Sequence, residues 1–167
     1  QYHESRSQYR FQRKDCIYTD TLSRSGKGAL VKEGCGLIWS GFRPSDDACT
    51  YGYLIPSNMF ACVILGYMAG ICREILHEEA AAQRAERLRE EITVGIETYG
   101  IVRTGEFGEI YAYETDGFGQ YNLMDDANVP SLLSMEYLGY IPRRRDVAEN
   151  TRRFLLSEAN PYYYKGD

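Results

Sequence analysis

Two stretches of the chain set carboxylates among aromatic rings, amides and glycines. The first is Trp39-Ser-Gly-Phe-Arg-Pro-Ser-Asp-Asp-Ala48, which carries Arg43, Asp46 and Asp47. The second runs from Tyr111 to Asn128 and carries Glu114, Asp116, Asp125 and Asp126. Carbohydrate sites need these ingredients. Aromatic faces stack on the apolar face of a sugar ring, and Asp, Asn and Arg make paired hydrogen bonds to neighbouring hydroxyls. A carboxyl group protonates the leaving oxygen when a glycosidic bond breaks. Each Asp-Asp-Ala is expected at a helix start, where the plainer role of an aspartate is to cap the helix or oppose its dipole. For one pair alone that plainer role is favoured. Its recurrence in two polar, aromatic loops moves the balance toward a sugar site. Calcium fits less well, because neither cluster has the alternating oxygen ligands of an EF-hand loop.

Other chemistries find little support. His3 and His77 are the two histidines, and neither lies in a triad-like or metal-like setting. Gly26-Lys27-Gly28 is not a phosphate-binding loop, because Lys27 is followed by glycine and the upstream glycine is missing. The five cysteines, Cys16, Cys35, Cys49, Cys62 and Cys72, contain no CxxC pair, which speaks against a zinc site. Cys62 and Cys72 lie in an apolar run and read as small buried hydrophobes; one disulfide elsewhere is left open. The net charge of -5 speaks against nucleic acid, which needs a basic surface. Arg143-Arg144-Arg145 and Arg152-Arg153 read as a solvated helix face.

The elements that must hold these loops are mainly helices. Hydrophobic residues make up 44% of the 167 positions, enough for a packed core in one domain or part of one. Residues 1–33 are mixed and polar, with a turn at Ser23–Gly28. Ser45 or Asp46 is positioned to cap the element after the first loop. One helix is expected from about Ser57 to His77, and a second from about Glu79 to Thr98, with Leu88, Ile92 and Ile96 on one face. Gly100 ends it. Ile101 to Tyr121 reads as a short hairpin or an ordered loop. Further helices are expected over Asp125–Leu138, with Pro130 near the first turn, and over Asp146–Ser157. Ala48 to Cys72 holds no charge, but its continuous apolar part, Met59 to Cys72, suits a buried core helix better than a membrane span of about 20 residues. Gly66 and Gly70 suggest close helix packing. Loops longer than about 12 residues are uncommon unless they carry function, so the loops are the expected site.

Gly36-Leu-Ile-Trp-Ser-Gly-Phe-Arg-Pro-Ser-Asp-Asp-Ala-Cys-Thr-Tyr-Gly-Tyr-Leu-Ile-Pro-Ser-Asn-Met-Phe-Ala61 closely resembles the signature of glycoside hydrolase family 125, the metal-independent exo-α-1,6-mannosidases, which include fungal members. The resemblance continues through Tyr111–Glu114, Asp116-Gly117, Leu123–Ser134, Tyr137–Tyr140, Asn150–Phe154 and Asn160–Tyr163. Upstream it takes in Tyr9–Arg13 and Thr21-Leu22. It implies an all-α fold, part of a six-hairpin (α/α)6 toroid with long aromatic and glycine-rich loops. It also implies hydrolysis with inversion, by two carboxyl groups about 6.5–9.5 Å apart with a water between base and sugar. The general acid then belongs to the Ser45-Asp46-Asp47 motif, and either aspartate qualifies. Adjacent carboxylates repel, which raises one pKa toward an acid's working range, while Arg43 acts in the opposite sense.

The candidate sugar contacts are Trp39, Arg43, Tyr51, Asn58, Glu114, Asp116, Asp125, Asp126 and Asn128. The family's general base is a glutamate in a His-Glu-Ser-Phe-like motif near its C-terminus, and that segment is not in this chain. His3-Glu4-Ser5 imitates it, but lies upstream of the acid motif and is followed by Arg6. The start at Gln1, the end beside Tyr162-Tyr163-Tyr164 and the need for six hairpins suggest that 1–167 is an internal piece of one catalytic domain, inactive and poorly folded alone. The expected ligands are α-1,6-linked mannosides of N-glycan or mannan type. No metal, organic cofactor, nucleic acid or protein partner is implied. A non-catalytic carbohydrate-binding or degenerate homologue is the alternative, and a purely structural helical domain leaves the polar aromatic loops unexplained. No signal peptide is legible, and compartment and oligomeric state stay open.

Overall fold

The computed structural model describes residues 22, 24 and 28–166. His3-Glu4-Ser5, the Tyr9–Arg13 and Thr21 matches, Cys16, and the turn and Gly-Lys-Gly expectations up to Lys27 lie outside the described residues, Arg24 apart.

A short strand, β1 (Tyr53–Leu54), leads directly into helix α1 (Ile55–Glu74). Proline at the second helical position costs nothing there, because the first N–H groups of a helix have no carbonyl to bond. The helix ends about one turn before the expected His77. His77 takes a left-handed conformation (φ 55°) and the chain reverses at Glu78, whose N–H bonds the carbonyl of Cys72. Helix α2 (Glu79–Tyr99) then packs back along α1 as a helical hairpin, burying Ala82, Ala85, Ile92, Gly95 and Ile96. Gly100 caps it without a left-handed turn (φ -94°). Glycine is needed there for space, since a Cβ would stand 2.7 Å from the Ile96 carbonyl oxygen and 3.0 Å from Ile55.

The expected hairpin-or-loop region resolves into strands. β2 (Ile101–Thr104) and β3 (Gly108–Tyr111) form an antiparallel hairpin in which Ile101 faces Tyr111. β4 (Glu114–Thr115) pairs with β1 on one side and with β5 (Tyr121–Asn122) on the other, so it is the central strand of a three-stranded antiparallel sheet. Helix α3 (Arg145–Leu155) packs on β3, and its buried face is Val147, Ala148, Thr151, Phe154 and Leu155. The core joins these pieces through Leu37, Tyr53, Ile55, Met59, Ile92, Ile96, Ile110, Tyr111, Tyr113 and Leu132. The all-α expectation is thus modified: the described chain is helix-rich, but two small sheets carry the loops.

The helix expected over Asp125–Leu138 does not form. Residues 132–139 are a run of turns, and the Val129–Pro130 peptide is cis. Short polar side chains take the backbone groups that a helix would use. The Asp125 carboxylate accepts the N–H groups of Ala127 (2.8 Å) and Leu133 (3.0 Å). Ser131 and Ser134 each accept the other's N–H through a side-chain oxygen, at 3.1 and 2.8 Å.

Helix α1 is less buried than a core helix. One face meets α2, while Ile64, Tyr67, Met68 and Ile71 are exposed. By length and composition it is apolar enough to cross a membrane. Gly66 admits the Arg89 side chain, whereas nothing among the described residues comes close to Gly70. The basic cluster lies at the surface, with Arg143, Arg144 and Arg145 paired to Glu90, to Glu109 and Asp146, and to Glu136. Cys35, Cys49, Cys62 and Cys72 are free thiols, so a disulfide finds no pair among the described residues.

Candidate active site

The Asp46-Asp47 pair sits at the tip of a tight turn rather than at a helix start. An isolated antiparallel bridge joins Phe42 to Ala48, and the Cys49 N–H bonds the Gly41 carbonyl at 2.9 Å. Inside it the Arg43 N–H bonds the Asp47 carbonyl (2.8 Å) and the Asp46 N–H bonds the Arg43 carbonyl (3.0 Å). Asp46 is left-handed (φ 67°), a conformation Asp tolerates better than most residues. Both aspartates are exposed, and the Ser45 hydroxyl donates to Asp47 Oδ2 at 3.2 Å. The capping expectation for Ser45 and Asp46 therefore fails. Residues 49–54 intervene before α1, whose N-cap Leu54 has no side-chain hydrogen bond.

Arg43 turns inward from that same turn. Its Nε donates to Glu114 Oε1 at 2.6 Å, and the two side chains are 8% and 0% exposed. The other oxygen, Glu114 Oε2, accepts the N–H groups of Thr50 and Tyr51, each at 2.9 Å. Such charge-assisted bonds are what makes a carboxylate tolerable in a fully buried position. The same negative charge, after burial itself, pushes the nearby Cys49 thiol up to about 12, which rules it out as a nucleophile at neutral pH.

The two carboxylate loops meet at Tyr113. The Arg43 guanidinium lies 5.8 Å from the centre of its ring, and its hydroxyl donates to Asp126 Oδ1 at 3.1 Å. Burial first, and the Asp126 charge next, raise the phenol well above its ordinary range, so it stays a donor. Asp126 Oδ1 also accepts the Asn128 N–H at 3.1 Å, while its Oδ2 is buried with no hydrogen-bond partner among the described residues. Asn128 itself is exposed.

The remaining candidates divide between the site and its supports. Trp39 is half-buried among glycines: a Cβ on Gly52 would stand 2.5 Å from its indole, and one on Gly28 would stand 2.7 Å away. Tyr51 is half-buried beside the Glu114 clasp. The amide of Asn58 is wholly engaged inside the protein, accepting the Ile38 N–H (2.7 Å) and donating to the carbonyls of Ile38 and Leu54. Asp116 shapes a turn, with Oδ1 accepting the N–H groups of Phe118 and Gln120. Asp125 is buried, and burial outweighs its two backbone N–H bonds in raising its pKa. Tyr113 and Asn160 are the members that sequence reasoning did not single out. Both lie inside the family's motifs, Tyr113 one residue before Glu114 and Asn160 before Pro161. A cavity of about 240 Å³ lies elsewhere, between the two long helices and residues 139–143.

A profile of the family described as metal-independent alpha-mannosidase (GH125) matches residues 1–167. The Meiotically up-regulated gene 157 protein of Schizosaccharomyces pombe is 45% identical over 159 residues, which cover 95% of this chain and 31% of that protein. A solved structure of a Streptococcus pneumoniae protein, described as a metal-independent alpha mannosidase in a non-productive complex with alpha-1,6-mannobiose, superposes with a TM-score of 0.83. It is 45% identical, over 92% of this chain and 36% of that one. The chain thus spans about a third of the length of these relatives. It belongs to the GH125 family of metal-independent alpha-mannosidases.

Proposed function

We propose that the whole protein carrying this chain is an inverting exo-α-1,6-mannosidase with an (α/α)6 toroid, in which the α1–α2 pair is one of the helical hairpins. This chain supplies the general acid, either Asp46 or Asp47, and the general base lies outside it. The observation that carries the proposal is the Asp46–Asp47 turn itself: two adjacent exposed carboxylates at the tip of a bridged turn, anchored by the buried Arg43–Glu114 ion pair. A general acid must reach the glycosidic oxygen and be held still while doing so. The α-1,6-mannobiose bound by the pneumococcal relative supports the substrate class. Trp39, Tyr51, Asp126 and Asn128 are the proposed sugar contacts. Asn58, Asp116 and Asp125 hold the loops, since their polar atoms are engaged with backbone.

Replacing Asp46 and Asp47 separately by Asn in the whole protein tests the acid assignment. One variant loses about 10²-fold or more of its mannose release from α-1,6-mannobiose, and wild-type enzyme releases the β-anomer first. Wild-type turnover in both variants makes the acid assignment wrong. The chain of residues 1–167 alone releases no mannose, because the base is missing.

A further inference from the structure

Resemblance alone makes Glu114 a sugar ligand, but its surroundings do not fit that role. It is fully buried, and three donors already occupy its two oxygens: Arg43 Nε on one, the Thr50 and Tyr51 N–H groups on the other. A sugar hydroxyl reaching this carboxylate would have to displace a charge-assisted bond or a backbone amide inside the core. The donors themselves are informative. Arg43 opens the turn that presents Asp46 and Asp47, and Thr50 and Tyr51 come just after that turn. Glu114 therefore clasps the segment at both ends. The carboxylate also stands on the central strand, β4, where Glu114 is paired with Leu54 on one side and Asn122 on the other.

We infer that Glu114 is a positioning residue for the general acid, acting through Arg43 and the 50–51 backbone to hold the Asp46–Asp47 turn at the glycosidic oxygen. The inference rests on the mannosidase proposal. Glu114 also neutralises Arg43, so the guanidinium is not left as a free positive charge in the acid's own turn. A general acid works in its protonated form, and an unpaired cation nearby would favour the ionised one.

A merely structural residue and a positioning residue differ in what they do to substrates of unequal need for acid. Cleaving α-1,6-mannobiose requires protonation of a poor sugar leaving group, whereas 2,4-dinitrophenolate leaves from an aryl α-mannoside without it. The whole protein with Glu114→Gln is therefore assayed on α-1,6-mannobiose and on 2,4-dinitrophenyl α-mannoside. The expected result is a kcat on the disaccharide lower by about 10²-fold with KM little changed, and a much smaller loss on the aryl mannoside. A raised KM with kcat retained would make Glu114 a sugar ligand and overturn the inference. An equal loss on both substrates would overturn it too, leaving a structural role. If Glu114→Gln does not fold, the double variant Arg43→Met with Glu114→Gln removes both buried charges together and is read by the same comparison. Absence of mannose release from the wild-type protein sinks the mannosidase proposal and the inference with it. Wild-type activity with an equal loss in the variant sinks the inference only.

Discussion

Asn160 and Asp125 hold each other across 35 residues of sequence. The Asn160 side-chain oxygen accepts the Asp125 N–H at 3.1 Å, and its amide donates to the Asp125 carbonyl at 3.1 Å and to the Leu155 carbonyl at 3.2 Å. The contact docks the second carboxylate loop onto the end of α3. At 4% exposure Asn160 leaves water little chance to replace these bonds. Asn160→Ala orphans buried backbone groups and should destabilise the fold by about 2–4 kcal/mol. Urea unfolding of the whole protein checks this, and an unchanged midpoint would show that the loop is held by other means.

Gly95 lies where residues 35–37 cross α2. A Cβ there would stand 2.4 Å from the Cys35 carbonyl oxygen and 3.1 Å from Leu37. In an exposed helix, Gly→Ala gains about 1 kcal/mol from propensity. Here the backbone clash outweighs that gain, so Gly95→Ala lowers the thermal midpoint. A raised midpoint would mean that the crossing segment yields without cost.

The pKa of Asp125 lies above its ordinary value of 3.8 because burial disfavours the charged form, a bias that its bonds to Leu133 and Ala127 only partly offset. The folded chain therefore holds this proton more tightly than the unfolded one. The resulting stabilisation is fully present below the ordinary value and is lost as pH rises through the folded one. Asp125→Asn removes that titration. The unfolding free energy of wild type minus that of the variant should fall as pH rises above the ordinary value of 3.8. A difference that rises with pH would reverse the assignment.

Cys49 should resist alkylation. With its thiol pushed up to about 12, chiefly by burial and next by the Glu114 charge, almost none of it is thiolate at pH 8. Iodoacetamide labelling and then peptide mass spectrometry should find Cys49 unmodified in the native protein and modified in urea. Rapid native labelling would contradict the burial of this thiol.

Periodicity made three helices legible in the sequence, because an amphipathic or apolar run is a local property. α2 and α3 begin and end within about two residues of their expected bounds. The turn-and-loop stretch over 125–138 was not legible as such. Its apolar residues sit at helical spacing, but the Asp125 carboxylate bonds two nearby N–H groups, and its loop is fixed by an asparagine 35 positions away. The carboxylates make the same point at the site. Residue types marked Asp46, Asp47 and Glu114 alike as acids in polar, aromatic loops. Only the pairing of β4 between β1 and β5 drew Glu114 fully inside, onto Arg43 and two amides, while a bridged turn left Asp46 and Asp47 in solvent. Sequence determines which groups can carry a proton, whereas burial and partners come from strands that meet across some 60 residues of chain, and these decide which group meets a sugar and which holds it in place.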